Sequence, residues 1–164
     1  QAEPSVFRKL AKRFSKSSDP VRVSGLDNML INFGKCCNPV VGDPIVGFIT
    51  RGRGVSVHVA DCPRVIGLDP ERRIDVEWDA NIKTARTARL QVVCVNRPGL
   101  LAGMTEAITS QGVNIAGASV RSNEDQTATN IFDVEIQDLN QLRKVLKSLE
   151  NIKGVLSVTR VRGM

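Results

Sequence analysis

The chain has 164 residues, 41% of them hydrophobic, and a formal charge of +6; that is enough apolar material for one ordinary core or two small ones. No apolar run reaches the roughly 18 to 20 residues that span a bilayer, and the amino terminus lacks the basic, apolar, small-residue order of a signal peptide, so a soluble cytoplasmic chain with no membrane contact is expected. The four cysteines, Cys36, Cys37, Cys62 and Cys94, are too few and too unevenly spaced for a secreted disulfide scaffold, which leaves metal ligation or burial in a reducing compartment.

Phe7, Leu10, Ala11 and Phe14 recur at helical spacing among Arg8, Lys9, Lys12, Arg13 and Lys16, predicting a basic amphipathic helix over residues 5–16 that Ser17, Ser18, Asp19 and Pro20 stop. Residues 1–20 therefore read as a basic helical linker. From 17 to 80 there are seven basic and nine acidic side chains, so any contact with nucleic acid in that stretch must come from a local patch.

Ile45–Thr50 and Val55–Ala60 are β-rich and flank Arg51, Gly52, Arg53 and Gly54, which predicts a hairpin with both arginines at its tip. Gly67, Asp69 and Pro70 mark a short helix or turn over 64–71, and Ile74, Val76 and Trp78 alternate as a further strand. Residues 21–80 form a small β-rich module.

Residues 79–87 are polar, and a second unit over 87–164 runs βαββαβ. Its strands are expected over Leu90–Val95, Ile115–Val120, Ala128–Ile136 and Val155–Val161. Its helices are expected over Leu100–Ser110, with Leu101, Met104 and Ile108 on one side, and along the stripe Leu139, Leu142, Val145, Leu146, Leu149. Two apolar helical faces over one sheet make a ferredoxin-like sandwich, and the whole chain is α+β. Phe132, Val134 and Ile136 would face the helices and Thr129, Ile131, Asp133 and Glu135 the open side. With no tyrosine in the chain and two carboxylates on that face, base stacking there is disfavoured and a partner sheet or second subunit suits it better.

The chemistry concentrates at Cys36, Cys37, His58 and Cys62. Three thiols and one imidazole satisfy one tetrahedral zinc, but neighbours on an extended strand point to opposite faces, so the backbone must turn at the cysteine pair. His58 alternates with Val55, Val57 and Val59 and points away from the valine side. Buried inert thiols and a redox-active thiol are the other uses of such a set, and Cys94, in an apolar strand, reads as a small buried hydrophobe. Arg51 and Arg53 suit phosphate equally as well as a solvated turn. The turn Asn96, Arg97, Pro98, Gly99, Leu100, Leu101 could present free N–H groups to a carboxylate, or merely shape a strand-to-helix corner.

The run GKCCNPVVGDPIVGFITRGRGVSVHVADCP (Gly34 to Pro63) resembles the conserved-cysteine module, also described as a zinc-finger or ribosome-intersubunit domain, of RelA/SpoT-type enzymes that make and degrade guanosine tetraphosphate. NRPGLLAGMTEAI (Asn96 to Ile108) and GVNI (Gly112 to Ile115) resemble that family's terminal ACT domain. The resemblance implies a regulatory piece without catalytic domains, acting on the catalytic half of a parent synthetase/hydrolase. It implies Cys36, Cys37, His58 and Cys62 as zinc ligands, and Arg51 and Arg53 in a hairpin facing ribosomal RNA with deacylated tRNA nearby. It further implies an ACT turn, Asn96, Arg97, Gly99, Leu100 and Leu101, reading a branched-chain amino acid (valine, isoleucine or leucine), and a homodimer through the ACT domain. Asn96 stands where that turn more often carries Asp. A stand-alone redox, metal-sensing or RNA-binding module is the competing expectation.

Overall fold

A computed structural model describes residues 19–25, 29–52 and 54–162; the expected helix over 5–16 and Arg53 lie outside the described residues. Among the described residues no helix is long and apolar enough to cross a membrane.

The first unit is a four-stranded mixed sheet with a two-stranded ladder beside it. Strands β2 (Leu30–Phe33), β3 (Ile45–Ile49), β4 (Gly54–Val59) and β5 (Arg73–Ile74) lie in the order β2-β4-β3-β5, with β2 parallel to β4 and the rest antiparallel. Strands β1 (Val21–Val23) and β6 (Val76–Trp78) pair antiparallel. The expected hairpin is β3 and β4. The single strand expected through Ile74, Val76 and Trp78 is two, because its first half pairs with β3 and its second with β1. Residues 64–71 fall in two 3-10 turns, Pro63–Gly67 and Pro70–Arg72. Val21, Val55 and Val57 are buried at the centre, packed by Phe33, Ile45, Val76 and Trp78.

The second unit is the predicted two-layer sandwich. Strands β7 (Arg86–Val95), β8 (Asn114–Ser122), β9 (Thr127–Ile136) and β10 (Val155–Val161) form an antiparallel sheet in the order β10-β7-β9-β8. Helices α1 (Leu100–Thr109) and α2 (Leu139–Glu150) cover one face. Strand β7 starts at Arg86, well before Leu90, because Arg86, Thr87 and Ala88 continue the ladder against Ile136, Glu135 and Val134. Phe132, Val134 and Ile136 are fully buried, as alternation requires. On α1 the buried side chains are Leu100, Met104 and Ile108, whereas Leu101 is 43% exposed: the strict i, i+4, i+8 row faces the sheet and Leu101 turns out of it. Helix α2 opens with reciprocal capping, the Asp138 carboxylate accepting from the Gln141 N–H and the Gln141 side chain accepting from the Gln137 N–H.

On the open face, Arg89 clamps Asp133 through two hydrogen bonds of 2.7 and 2.9 Å, and Asn114 donates to Glu135. Both carboxylates that sequence alone sets against phosphate are therefore occupied within the sheet, and the case against base stacking rests on the missing aromatics.

Candidate metal centre

The cysteine pair sits in the loop between β2 and β3, where the chain folds back on itself. The N–H groups of Cys37 and Asn38 both donate to the Gly34 carbonyl, at 3.4 and 2.9 Å. Asn38 takes φ +46°, a left-handed conformation that Asn tolerates better than most residues. This reversal brings two adjacent thiols to the same side, which an extended strand forbids. His58 reaches the spot from β4, and Cys62 from the turn after it.

The four donor atoms lie within 4.8 Å of one another. Cys36 Sγ is 4.0 Å from Cys37 Sγ, 3.5 Å from Cys62 Sγ and 3.2 Å from His58 Nδ1, and Cys37 Sγ is 3.7 Å from the same nitrogen. A tetrahedron with Zn–S near 2.3 Å and Zn–N near 2.05 Å has edges of about 3.8 Å (S to S) and about 3.6 Å (S to N). The donor set therefore fits a closed four-coordinate centre in both chemistry and spacing. Cys37, Cys62 and His58 are buried, and Cys36 is partly so.

The surroundings suit each of the four side chains to a ligand's role. His58 Nε2 lies 3.1 Å from Ser56 Oγ, so with Nε2–H donating to that hydroxyl, Nδ1 keeps its lone pair for a metal. The Val59 N–H donates to Cys37 Sγ at 3.3 Å, a bond that favours a thiolate there. Without a cation, burial pushes the Cys37 thiol up to about 12 and raises Cys36, with Cys62 adding to both effects. Burial also lowers the His58 imidazole, helped by Arg64, and so favours its neutral form. At Cys62 burial raises the thiol, but hydrogen bonds from the Arg64 backbone, Cys36 and Cys37 outweigh it and leave a net lowering. A freely reactive thiolate at Cys36 or Cys37 is disfavoured by this environment, whereas a divalent cation would compensate three clustered thiolates at once.

Gly34 makes the approach possible. A Cβ there would lie 2.6 Å from His58 Nδ1 and Cε1, with no slack in a ring held at both nitrogens. Gly34→Ala is expected to push the imidazole off the cluster and weaken zinc binding by about 10- to 100-fold, measured by competition against a chromophoric chelator with circular dichroism confirming the fold.

Arg51 is exposed at the hairpin tip. It borders a groove of about 410 Å³ that Phe48, His58, Leu68, Asp69 and Arg72 also line, so the imidazole and the arginine share one surface. The structure also gathers Asn96, Arg97 and Gly99 in the turn before α1. Gly99 holds φ +85°, which a side chain would strain. Asn96 donates to Ser122 Oγ and Arg97 to the Lys153 carbonyl, while Leu100 is buried in the core. Cys94 is buried and accepts from Asn130. Ser56, which partners the imidazole, escapes a sequence reading, although its place two residues from His58 on the same strand face is the signal that finds it.

Residues 21–79 match the RelA/SpoT RIS domain and residues 83–160 the ACT domain. The chain is 47% identical over 154 residues to a GTP pyrophosphokinase of Myxococcus xanthus, covering 93% of this chain and 20% of that protein. It is 37% identical over 153 residues to the GTP pyrophosphokinase of Escherichia coli, covering 91% of this chain and 21% of that one. It thus spans about a fifth of the length of the curated relatives it matches. Among solved structures, the ACT domain of a Chlorobium tepidum GTP pyrophosphokinase covers 48% of the chain and 100% of its own length at 20% identity and a TM-score of 0.43.

Proposed function

This chain belongs to the RelA/SpoT family as its carboxy-terminal regulatory region, a RIS domain joined to an ACT domain with no catalytic domain, and from that premise we propose that it couples starvation signals to a parent GTP pyrophosphokinase that makes and hydrolyses guanosine tetra- and pentaphosphate. In this reading the RIS module is a zinc-held element that docks ribosomal RNA beside deacylated tRNA. The ACT domain senses a branched-chain amino acid and pairs with a second copy, and the output passes to the catalytic half in the cytoplasm.

The observation that carries this is the convergence of Cys36, Cys37, His58 and Cys62 within 4.8 Å, directly behind the groove bordered by Arg51. Bound there, zinc supplies a closed structural centre and no reactive position. The chain's own residues do the rest. Ser56 orients the imidazole, the Val59 N–H steadies the Cys37 sulfur, and the fixed base of the β3–β4 hairpin presents Arg51 outward, where its guanidinium fork matches phosphate oxygens; Arg53, two residues on in the sequence, would add a second such charge. For the ACT domain, the support is the Gly99 turn at the start of α1 and the exposed edge strand β8, on which Val120 is half exposed.

Three measurements test the reading on the purified chain: zinc content, binding to purified ribosomes, and calorimetric titration with valine, isoleucine and leucine. Arg51→Glu is expected to weaken ribosome binding about tenfold or more and to reduce the slope of log affinity against log salt by about 1, with zinc content unchanged. Ribosome binding indifferent to Arg51 and to salt would remove the RNA-docking role. No heat with any of the three amino acids would remove the sensing role.

A further inference from the structure

We infer that Arg160, in the last strand of the ACT domain, is a positioning residue for the metal ligands Cys36 and Cys37, so that zinc binding and docking of the two domains form one coupled equilibrium; the inference rests on the zinc reading above. The two halves of the ligand set are anchored differently. His58 and Cys62 belong to β4 and the turn leaving it, fixed within the RIS sheet. Cys36 and Cys37 lie on a loop whose next residues are held by the other domain.

Directly after Cys37, the Asn38 carbonyl accepts from Arg160 Nη2 at 3.1 Å and the Asn38 side chain donates to the Thr87 carbonyl at 2.7 Å. The Pro39 carbonyl accepts from Arg86 Nε at 2.6 Å. Val40 is fully buried as part of the ACT core itself. The Val41 carbonyl accepts from the Leu139 N–H at 2.7 Å. Asp43 takes both arms of the Arg160 guanidinium, at 2.9 and 2.8 Å, and ties the loop to itself through the Val40 N–H. Arg86 also stacks over Phe33, which stacks in turn on Trp78.

The segment that delivers half of the ligands is thus a plug in the open end of the ACT sandwich. Ordering such a segment costs conformational entropy, and here ACT docking has already ordered it before a metal arrives. Release of the plug gives that freedom back to Cys36 and Cys37. By linkage, whatever factor docking adds to zinc affinity, zinc adds to docking.

The Leu139 amide reports on the plug. As the first residue of α2 its N–H has no acceptor within the helix, and its partner is the Val41 carbonyl. The experiment uses the full chain. Zinc affinity is measured by chelator competition for the wild type, Arg160→Met, Arg86→Met and Arg89→Met, and amide exchange by NMR for the wild type with zinc and after its removal. Arg160→Met is expected to bind zinc at least about tenfold more weakly and Arg86→Met more weakly by a smaller factor. Arg89→Met, which breaks a comparable pair on the far face of the same sheet, should match the wild type. Removing zinc should expose the Leu139 amide while Val92, mid-sheet, stays protected. Should Arg160→Met not fold, Arg86→Met and the wild-type exchange data decide alone. Zinc affinity independent of Arg160 and Arg86, or a Leu139 amide indifferent to zinc, overturns the coupling. A wild-type chain that takes up no zinc overturns the metal reading and the coupling with it.

Discussion

Cys62→Ser is expected to abolish stoichiometric zinc binding and to unfold the RIS module at 25 °C while the ACT sandwich stays folded. The two units are stabilised in different ways. The ACT core gathers buried side chains from β7, β9 and both helices, Phe132, Leu90, Met104 and Leu149 among them, with partly buried ones from β8 and β10 packed against it. The RIS module has two small clusters instead: Val21, Val55 and Val57 in one, Cys37, Val59 and Cys62 in the other. Domains near 60 residues bury a smaller fraction of their surface and are marginal on that account. A structural zinc site contributes on the order of 10 kcal/mol in small modules, comparable with the whole stability of an ordinary domain. Removing one thiolate leaves an incomplete set, and the second cluster loses its organising centre. Trp78, the only tryptophan of the chain, sits in the RIS module and stacks on Phe33, so its fluorescence reports this unit, while far-UV circular dichroism is dominated by the ACT helices. A Cys62→Ser protein with wild-type Trp78 emission and an unchanged unfolding midpoint would show that the valine cluster suffices and that metal is dispensable to the fold.

How much of this was legible in the sequence follows from the range of the interactions. The βαββαβ order, the inward face of β9 and the stripe of α2 are set by periodicity over ten or so residues, and they stand as written in the chain. The hairpin around Arg51 is equally local. The Cys/His set could be named but not assembled, because its assembly depends on the left-handed Asn38 and the double acceptance by the Gly34 carbonyl, neither of which a spacing rule contains. On α1 the choice between Leu100 and Leu101 was a matter of about 100° of helix phase, decided by which of the two meets the sheet. The junction between the domains was not legible at all. Val40 reads as one more apolar residue of the first module, yet it completes the core of the second. Only the folded register reveals it: Arg160 shares a strand face with the half-buried Val158 and pairs opposite the fully buried Leu90, and a charge at such a position needs a buried partner.

That partner carries the second large effect. Asp43→Ala is expected to destabilise the joined chain by about 3–5 kcal/mol, the cost of leaving one charge of a buried pair without its counterion. The side chains of Arg160 and Asp43 are only 11% and 3% exposed. The neighbouring contact between the same domains, Arg162 with Asp61, is 39% and 71% exposed, and its loss should register at well under about 1 kcal/mol. The pair also sets an acid limit. Burial alone would raise the Asp43 carboxyl, but the hydrogen bonds from Arg160 and the Val40 N–H, with the Arg160 charge, outweigh it and hold the group below its ordinary value of 3.8. A carboxyl depressed in the folded state stabilises fully above its unfolded value, near 3.9, and loses that contribution as pH falls through the native value below it. Denaturant unfolding of the wild type should therefore lose stability more steeply below about pH 4 than that of Asp43→Ala, the gap between the two curves narrowing as pH falls further. The double variant Asp43→Ala with Arg160→Met should cost less than the two single variants summed, since it removes both charges and leaves neither stranded in the junction. Strict additivity would mean that the two side chains stabilise their own domains separately, and the junction would then owe its rigidity to Val40 and the backbone bonds around it.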